Sequence, residues 1–314
     1  MKMEKFEPQK FIARQIREIC STVKEQKAVV ALSGGLDSMV CFCLAHQALG
    51  TNAIPLFLDT GLLRANEQTD LEKVLNRFGV ELQAWDKREM VFEALRGKTD
   101  PEDKRKAYRD VFYKILGQAL RSYSADFLIQ GTILSDIIET QKGIKIHHNV
   151  LQQAGINPQN FGLVIIEPIR ELLKPQVKRL GVALKLPPKL LRTYPLPGIG
   201  MAARIVGEVT PEKVEIVRKA TQIIDQEIQS PNIFQAFPVL LNDRVTGIVD
   251  GAHTVGLAIA LRIVASKDSL TARLYQLPMP KLEKITGKIL KEIPGVVKVL
   301  LDITPKPPST IEYV

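Results

Sequence analysis

The stretch Lys27-Ala-Val-Val-Ala-Leu-Ser-Gly-Gly-Leu-Asp-Ser38 carries the reading of the fold. Its first half is a short apolar run of the kind buried in a parallel sheet, and its second half is a glycine-bearing turn that opens directly into a helical pattern. Strand, Gly pair and helix start in that order make an anion cradle. Two glycines let backbone approach an anion closely, the helix N-terminus offers unpaired N–H groups and a positive dipole end, and two serines add hydroxyls. The G-x-x-x-x-G-K-[ST] form is absent, so no lysine of the loop clasps the β- and γ-phosphates. Asp37 inside the cradle repels phosphate unless a cation stands between them, which argues for Mg²⁺ held jointly by its carboxylate and phosphate oxygens. The bland alternative is a capped strand-to-helix turn with Ser33 near the N-cap.

Outward from this stretch, residues 6–24 place Phe11, Ile12, Ile16, Ile19 and Val23 at helical spacing before the strand at 27–32. A helix at 38–49 and a strand at 52–58 complete one right-handed crossover. Further strands are predicted at 80–85 and 125–130, so alternating β and α elements predict a doubly wound α/β fold with a mostly parallel sheet. Ligands of such sheets bind at the carboxyl ends of strands, where Asp59-Thr-Gly61 and Gly131-Thr132 lie. The polar stretches 97–106 and 141–153 read as surface loops or as mobile covers over that site. A helix is predicted at 174–184. Pro187, Pro188, Pro195, Pro197, Gly198 and Gly200 then mark a domain boundary, giving domains 1–192 and 193–314. The second reads as a smaller α+β unit, with helices at 211–229 and 279–291 and strands near 236–241, 257–265 and 296–303.

The 314 residues exceed one ordinary domain, and 45% apolar with 25% charged residues is a globular composition. A net charge of +9 suits polyanionic partners. Its spread along the chain, with six Tyr and one Trp, argues against nucleic acid. Cys20, Cys41 and Cys43 have neither disulfide nor zinc spacing, which fits a reducing cytoplasm. No signal peptide or spanning segment is read, so no membrane partner is expected.

Ser33-Gly-Gly-Leu-Asp-Ser38 resembles the SGGxDS signature of the N-type ATP pyrophosphatases, adenine nucleotide alpha hydrolase-like enzymes that cleave ATP between its α- and β-phosphates. Asp59-Thr-Gly-Leu-Leu-Arg64, Thr99-Asp-Pro-Glu-Asp-Lys-Arg-Lys106, Gln130-Gly-Thr132, Asp136-Ile-Ile-Glu139 and Ile144-Lys-Ile-His-His-Asn149 are similar to the synthetase part of GMP synthase. So are Glu167-Pro-Ile-Arg170, Gly207-Glu-Val-Thr210 and the tail Asp302-Ile-Thr-Pro-Lys-Pro-Pro-Ser-Thr-Ile-Glu312, in the same order. The resemblance implies ATP phosphates on Ser33, Gly34, Gly35, Leu36, Asp37 and Ser38, with Mg²⁺ at Asp37, and Gly61, Leu62 and Gly131 near the nucleoside. It sets Asp136, Glu139 and Lys145 on the reaction side, where a fixed cation stabilises charge growing on the α-phosphate. His147 and His148 belong to a mobile lid in that reading. Arg204, Lys306, Thr310, Ile311 and Glu312 match acceptor-holding positions, with Lys306 on a phosphate and Glu312 on a sugar or base group.

The implied reaction is attack of the C2 oxygen of xanthosine monophosphate (XMP) on the α-phosphorus of ATP, releasing pyrophosphate. Ammonia from a separate glutaminase subunit then displaces AMP. The family also forms homodimers through its second domain. Two departures stand out: the family's G-V-Q-G-D-x-R reads Gly247-Ile-Val-Asp-Gly-Ala-His253, so Val249 and His253 replace Gln and Arg, and P-F-P-G-P-G-L reads Pro195-Leu-Pro-Gly-Ile-Gly-Met201. Two other readings therefore stand beside the first: a paralogue amidating or thiolating another purine-like acceptor, and a non-catalytic nucleotide-binding regulator.

Overall fold

The computed structural model describes residues 6–141, 158–192, 196–228, 230, 232–266 and 271–313. The chain divides into two compact units, one of Met1–Asp59, Asn66–Lys87 and Arg109–Thr193, the other of Thr60–Ala65, Arg88–Tyr108 and Tyr194–Val314. The second unit thus takes two segments from the first half of the chain in addition to the C-terminal part beyond Thr193.

In chain order the elements up to residue 192 are α1 (Pro8–Val23), β1 (Ala28–Leu32), α2 (Leu36–Leu49), β2 (Ala53–Asp59), α3 (Glu67–Leu75), β3 (Gln83–Asp86), α4 (Arg88–Leu95), α5 (Pro101–Tyr123), β4 (Phe127–Ile129), α6 (Leu134–Gln141), β5 (Val164–Ile166), α7 (Lys174–Ala183) and α8 (Pro188–Arg192). The first unit's sheet runs β3-β2-β1-β4-β5, and all its pairings are parallel. Strand order reverses between β1 and β4, the switch point at which such sheets bind ligands. Val29, Val30, Leu128 and Ile129 have no exposed surface. Each such side chain contributes about 1.5–3 kcal/mol by leaving water. α2 is buried almost all round, through Leu36, Met39, Val40, Cys41, Phe42 and Leu44, because it packs on the strands and on α1 and α7.

The second unit adds α9 (Pro211–Glu227), β6 (Gln235–Val249), β7 (Ala252–Ala265), β8 (Arg273–Leu274), α10 (Met279–Glu292) and β9 (Val296–Asp302). β6 and β7 form a long antiparallel hairpin, β8 extends it antiparallel, and β9 lies parallel to β7. α9 packs on β6 and α10 on β9.

Three expectations are corrected. The strands near 236–241 and 257–265 are the inner parts of a hairpin spanning Gln235–Val249 and Ala252–Ala265. A register shift between Leu240 and Arg244 breaks the alternation that would have shown it. Asp250 and Gly251 close the hairpin with φ of 50° and 79°, the paired left-handed conformation of a tight two-residue turn. The polar stretch 97–106 is not a loop throughout: α5 starts at Pro101, and Asp100 caps it by accepting the N–H groups of Glu102 and Asp103. The strand expected at 80–85 begins only at Gln83.

Candidate active site

In the first unit the site is built on residues 33–38. Gly34 takes φ +76°, and a Cβ there would stand 2.6 Å from Cγ of Glu67, whose side chain lies over it. Gly35 caps α2, so the helix opens at Leu36, two residues earlier than its pattern indicates, and Ser33 lies ahead of the cap. Met39 is the first residue whose N–H reaches an intrahelical carbonyl, that of Gly35, which leaves the N–H groups of residues 36–38 without intrahelical partners at the positive end of the helix. Ser38 is buried and braces the loop from within: its hydroxyl donates to Gly35 O at 3.0 Å and accepts the Ser33 N–H at 3.2 Å. The Ser33 Oγ lies 3.2 Å from it.

Gly131 follows β4 and lies against this turn. A Cβ at Gly131 would sit 2.9 Å from Asp37 C and 2.9 Å from Ser38 N, so only glycine lets the chain after β4 come this close to the first turn of α2. Behind it, Gln130 and Thr132 both donate to Glu167 Oε1, and the Tyr113 hydroxyl donates to Gln130 Oε1. Cys41 beneath has its thiol pKa raised, by burial first and then by the Asp37 and Glu167 charges. It is a core residue and no nucleophile.

Asp37 has a partner that its sequence neighbourhood does not disclose. Lys174, the first residue of α7, donates to both carboxylate oxygens at 2.8 Å. A lysine at a helix N-terminus opposes the helix dipole, and that local conflict is the one sequence signal that could have singled it out. The pair is half-exposed, so it is open to exchange with an incoming anion and cation. Asp136 turns its carboxylate back to the Ile133 N–H at 3.1 Å, an N-terminal brace for α6, and Glu139 follows on the same helix. Lys145, His147 and His148 lie outside the described residues.

The remaining predicted residues belong to the second unit. Gly61 takes φ +75° beside Phe92, and the turn it opens has three successive carbonyls engaged: Arg218 donates to Gly61 O at 2.6 Å and Leu63 O at 2.9 Å, and Met201 N–H to Leu62 O at 2.7 Å. Leu62 has no exposed surface, and its side chain packs inward.

Arg204 is 1% exposed, with its guanidinium 4.6 Å above the Phe237 ring, and burial pulls its pKa down to about 10 while Glu312 opposes that shift. Its Nε and Nη1, and Oε2 of Glu312, have no partner among the described residues. Buried donors and a buried acceptor left open in one unit could take a polar ligand. Ile311 is a core residue, clustered with Phe237, Val239, Ala260, Val264 and Ala272, and it anchors the tail. Lys306 is pinned through its backbone, which exchanges hydrogen bonds with Ala272 at 2.8 and 3.1 Å. Thr310 is exposed. Val249 and His253 stand at the hairpin tip, about ten extended residues, roughly 33 Å, from the end of β7 that meets the tail.

The chain is similar to the PP-loop domain over residues 8–173 and to the GMP synthase C terminal domain over residues 222–313. It is 45% identical to a subunit of the glutamine-hydrolyzing GMP synthase of Archaeoglobus fulgidus, over 97% of this chain and 99% of that one. The like-named subunit of Pyrococcus furiosus is 44% identical over 97% of each chain, and that of Methanocaldococcus jannaschii 40% over 98% and 99%. Among solved structures, NMN synthetase from Francisella tularensis aligns with a TM-score of 0.49 at 18% identity, over 72% of this chain and 90% of that one.

Proposed function

The chain belongs to the family of these GMP synthase subunits, and from that membership we propose that it is the ATP-using ligase subunit that converts XMP to GMP. ATP is cleaved to AMP and pyrophosphate, and the nitrogen comes as ammonia from a separate glutaminase subunit. The observation that carries the reading is the loop at residues 33–38, standing at the strand-order reversal with Gly131 against it and the Asp37–Lys174 pair at its mouth.

In this reading the unpartnered N–H groups at the start of α2 receive the phosphates. Lys174 exchanges Asp37 for phosphate oxygen as the nucleotide arrives. Asp37, a half-exposed carboxylate at an anion cradle, is a hard oxygen donor of the kind Mg²⁺ takes together with phosphate oxygens, and no group of three His, Cys, Asp or Glu forms an all-protein cage among the described residues. Bound there, the ion would neutralise charge on the leaving pyrophosphate. Ser38 keeps the loop in shape, Asp136 holds the start of α6, and Gly131 gives the nucleoside close access to backbone; Gly61 is assigned to the nucleoside from the resemblance. Glu139 and Lys145 are assigned to the reaction side from the resemblance.

The acceptor is given to the tail: Lys306 to its phosphate, Glu312 to a sugar or base group, Thr310 beside them, and Arg204 beneath as a charged donor. Within one chain Val249 and His253 sit far along the hairpin from this place. Ile248, Val249 and Val255 expose 76%, 47% and 55% of their surface on that hairpin, which supports a homodimer through the second domain. Among the described residues no helix is long and apolar enough to cross a membrane, and a cytoplasmic location is proposed with it.

The test is pyrophosphate release from MgATP and an ammonium salt, with and without XMP, Asp37→Ala serving as control. Release that depends on XMP, yields GMP and vanishes in the variant is the expected result. ATP binding with no response to XMP would sink the assignment and turn the search to another acceptor.

A further inference from the structure

We propose that Arg262 is a positioning residue for acceptor binding: it braces the C-terminal tail so that Lys306 and Glu312 are presented at set places. The inference rests on the reading of that tail as the acceptor-holding segment. Arg262 lies on β7 with no exposed surface, among Ala260, Leu261, Ile263 and Val264, all buried apolar residues. A buried guanidinium in such a row is costly unless its fork is used, and an apolar residue would serve packing alone.

Both terminal nitrogens of the fork are used, every use concerns the tail, and Nε has no partner among the described residues. Nη1 lies 3.1 Å from Asp302 Oδ2 at the end of β9 and donates to Thr304 O at 2.5 Å, while Nη2 donates to Thr310 O at 2.8 Å. Asp302 also accepts the Thr304 N–H at 2.9 Å, closing a ring of contacts where the tail begins. One planar group therefore ties the start of the tail, at Thr304, to its far end, at Thr310. Lys306 stands between those ties, and Glu312, with its buried unpartnered Oε2, comes just after the second. Ile311 in the core and the Ala272–Lys306 backbone pair hold the segment between and beyond, but neither couples its two ends. Lysine at 262 would keep the charge and lose the fork, since an ammonium has no planar bidentate geometry.

The experiment compares Arg262→Lys with the parent chain in the ammonia-dependent reaction, with Asp302→Asn as the second variant should Arg262→Lys yield no folded protein. The expected result is a KM for XMP raised about tenfold with the KM for MgATP unchanged. Amides of residues 304–313 should then exchange hydrogen faster while those of β7 keep their protection. Glu312→Gln, run alongside, reads whether the tail holds the acceptor at all. A KM for XMP that stays put in both tail-brace variants while Glu312→Gln raises it overturns the proposal and leaves the tail's role standing. If Glu312→Gln is also silent, the reading of the tail falls and the proposal with it. Loss of β7 protection together with the tail would make Arg262 a general support and overturn the positioning role.

Discussion

Lys104 has no exposed surface and directs its ammonium to the Ile205 carbonyl at 2.7 Å. Burial, with Lys213 adding to it and Asp100 opposing, pulls its pKa down to about 8. Between about pH 8 and the ordinary lysine value the unfolded chain keeps a proton that the folded chain has released, so this residue makes stability rise with pH across that window. In urea unfolding the parent is expected to gain stability relative to Lys104→Met from pH 8 to pH 10, and parallel curves would refute it. The Asp37–Lys174 pair behaves differently, because its half-exposed partners add little to stability. Lys174→Gln is predicted to raise the KM for MgATP about tenfold while leaving the melting temperature within a few degrees of the parent. Neither residue announces itself in the sequence: Lys104 sits in a stretch that reads as polar surface, and Lys174 reads as the first residue of an ordinary helix. Their partners stand about 100 or more residues away in the chain, and pattern within a short window cannot reach that far.

The elements that were legible are those with an unbroken period. α1, α2, β1, β2, α7, α9, α10 and β9 fall where apolar spacing puts them, within a residue or two at their ends. β6 and β7 were read short because polar residues and a bulge interrupt their outer halves, although Asp250-Gly251 is itself a strong hairpin signal. The phosphate loop was legible as composition and order, but the need for Gly131 was not. That need comes from the chain after β4 meeting the first turn of α2, and Gly131→Ala is predicted to cost about 1–3 kcal/mol in unfolding free energy as α2 gives way. ATP-dependent pyrophosphate release should fall with it. The turn at residues 61–63 depends in the same way on a distant element, since α9 supplies Arg218. Arg218→Ala is expected to speed exchange of the amides in that turn; unchanged protection would show that the Met201 bond suffices alone.

For the whole molecule, the exposed apolar residues at the hairpin tip bear on assembly. On the proposed homodimer, Ile248→Lys together with Val255→Lys should shift sedimentation from dimer to monomer while the circular dichroism spectrum stays unchanged, and a dimer that persists would move the interface elsewhere. The order of strands and helices, the class of the sheet and the anion-binding chemistry of residues 33–38 follow from the sequence by itself, because each depends on residues adjacent along the chain. The strand order with its reversal beside β1, the lysine that meets Asp37, the assignment of residues 60–65 and 88–108 to the second unit, and the arginine that ties the tail were decided only by the tertiary structure. Each of these depends on contacts between groups far apart in sequence, settled by which strands, side chains and carbonyls met once the chain had packed.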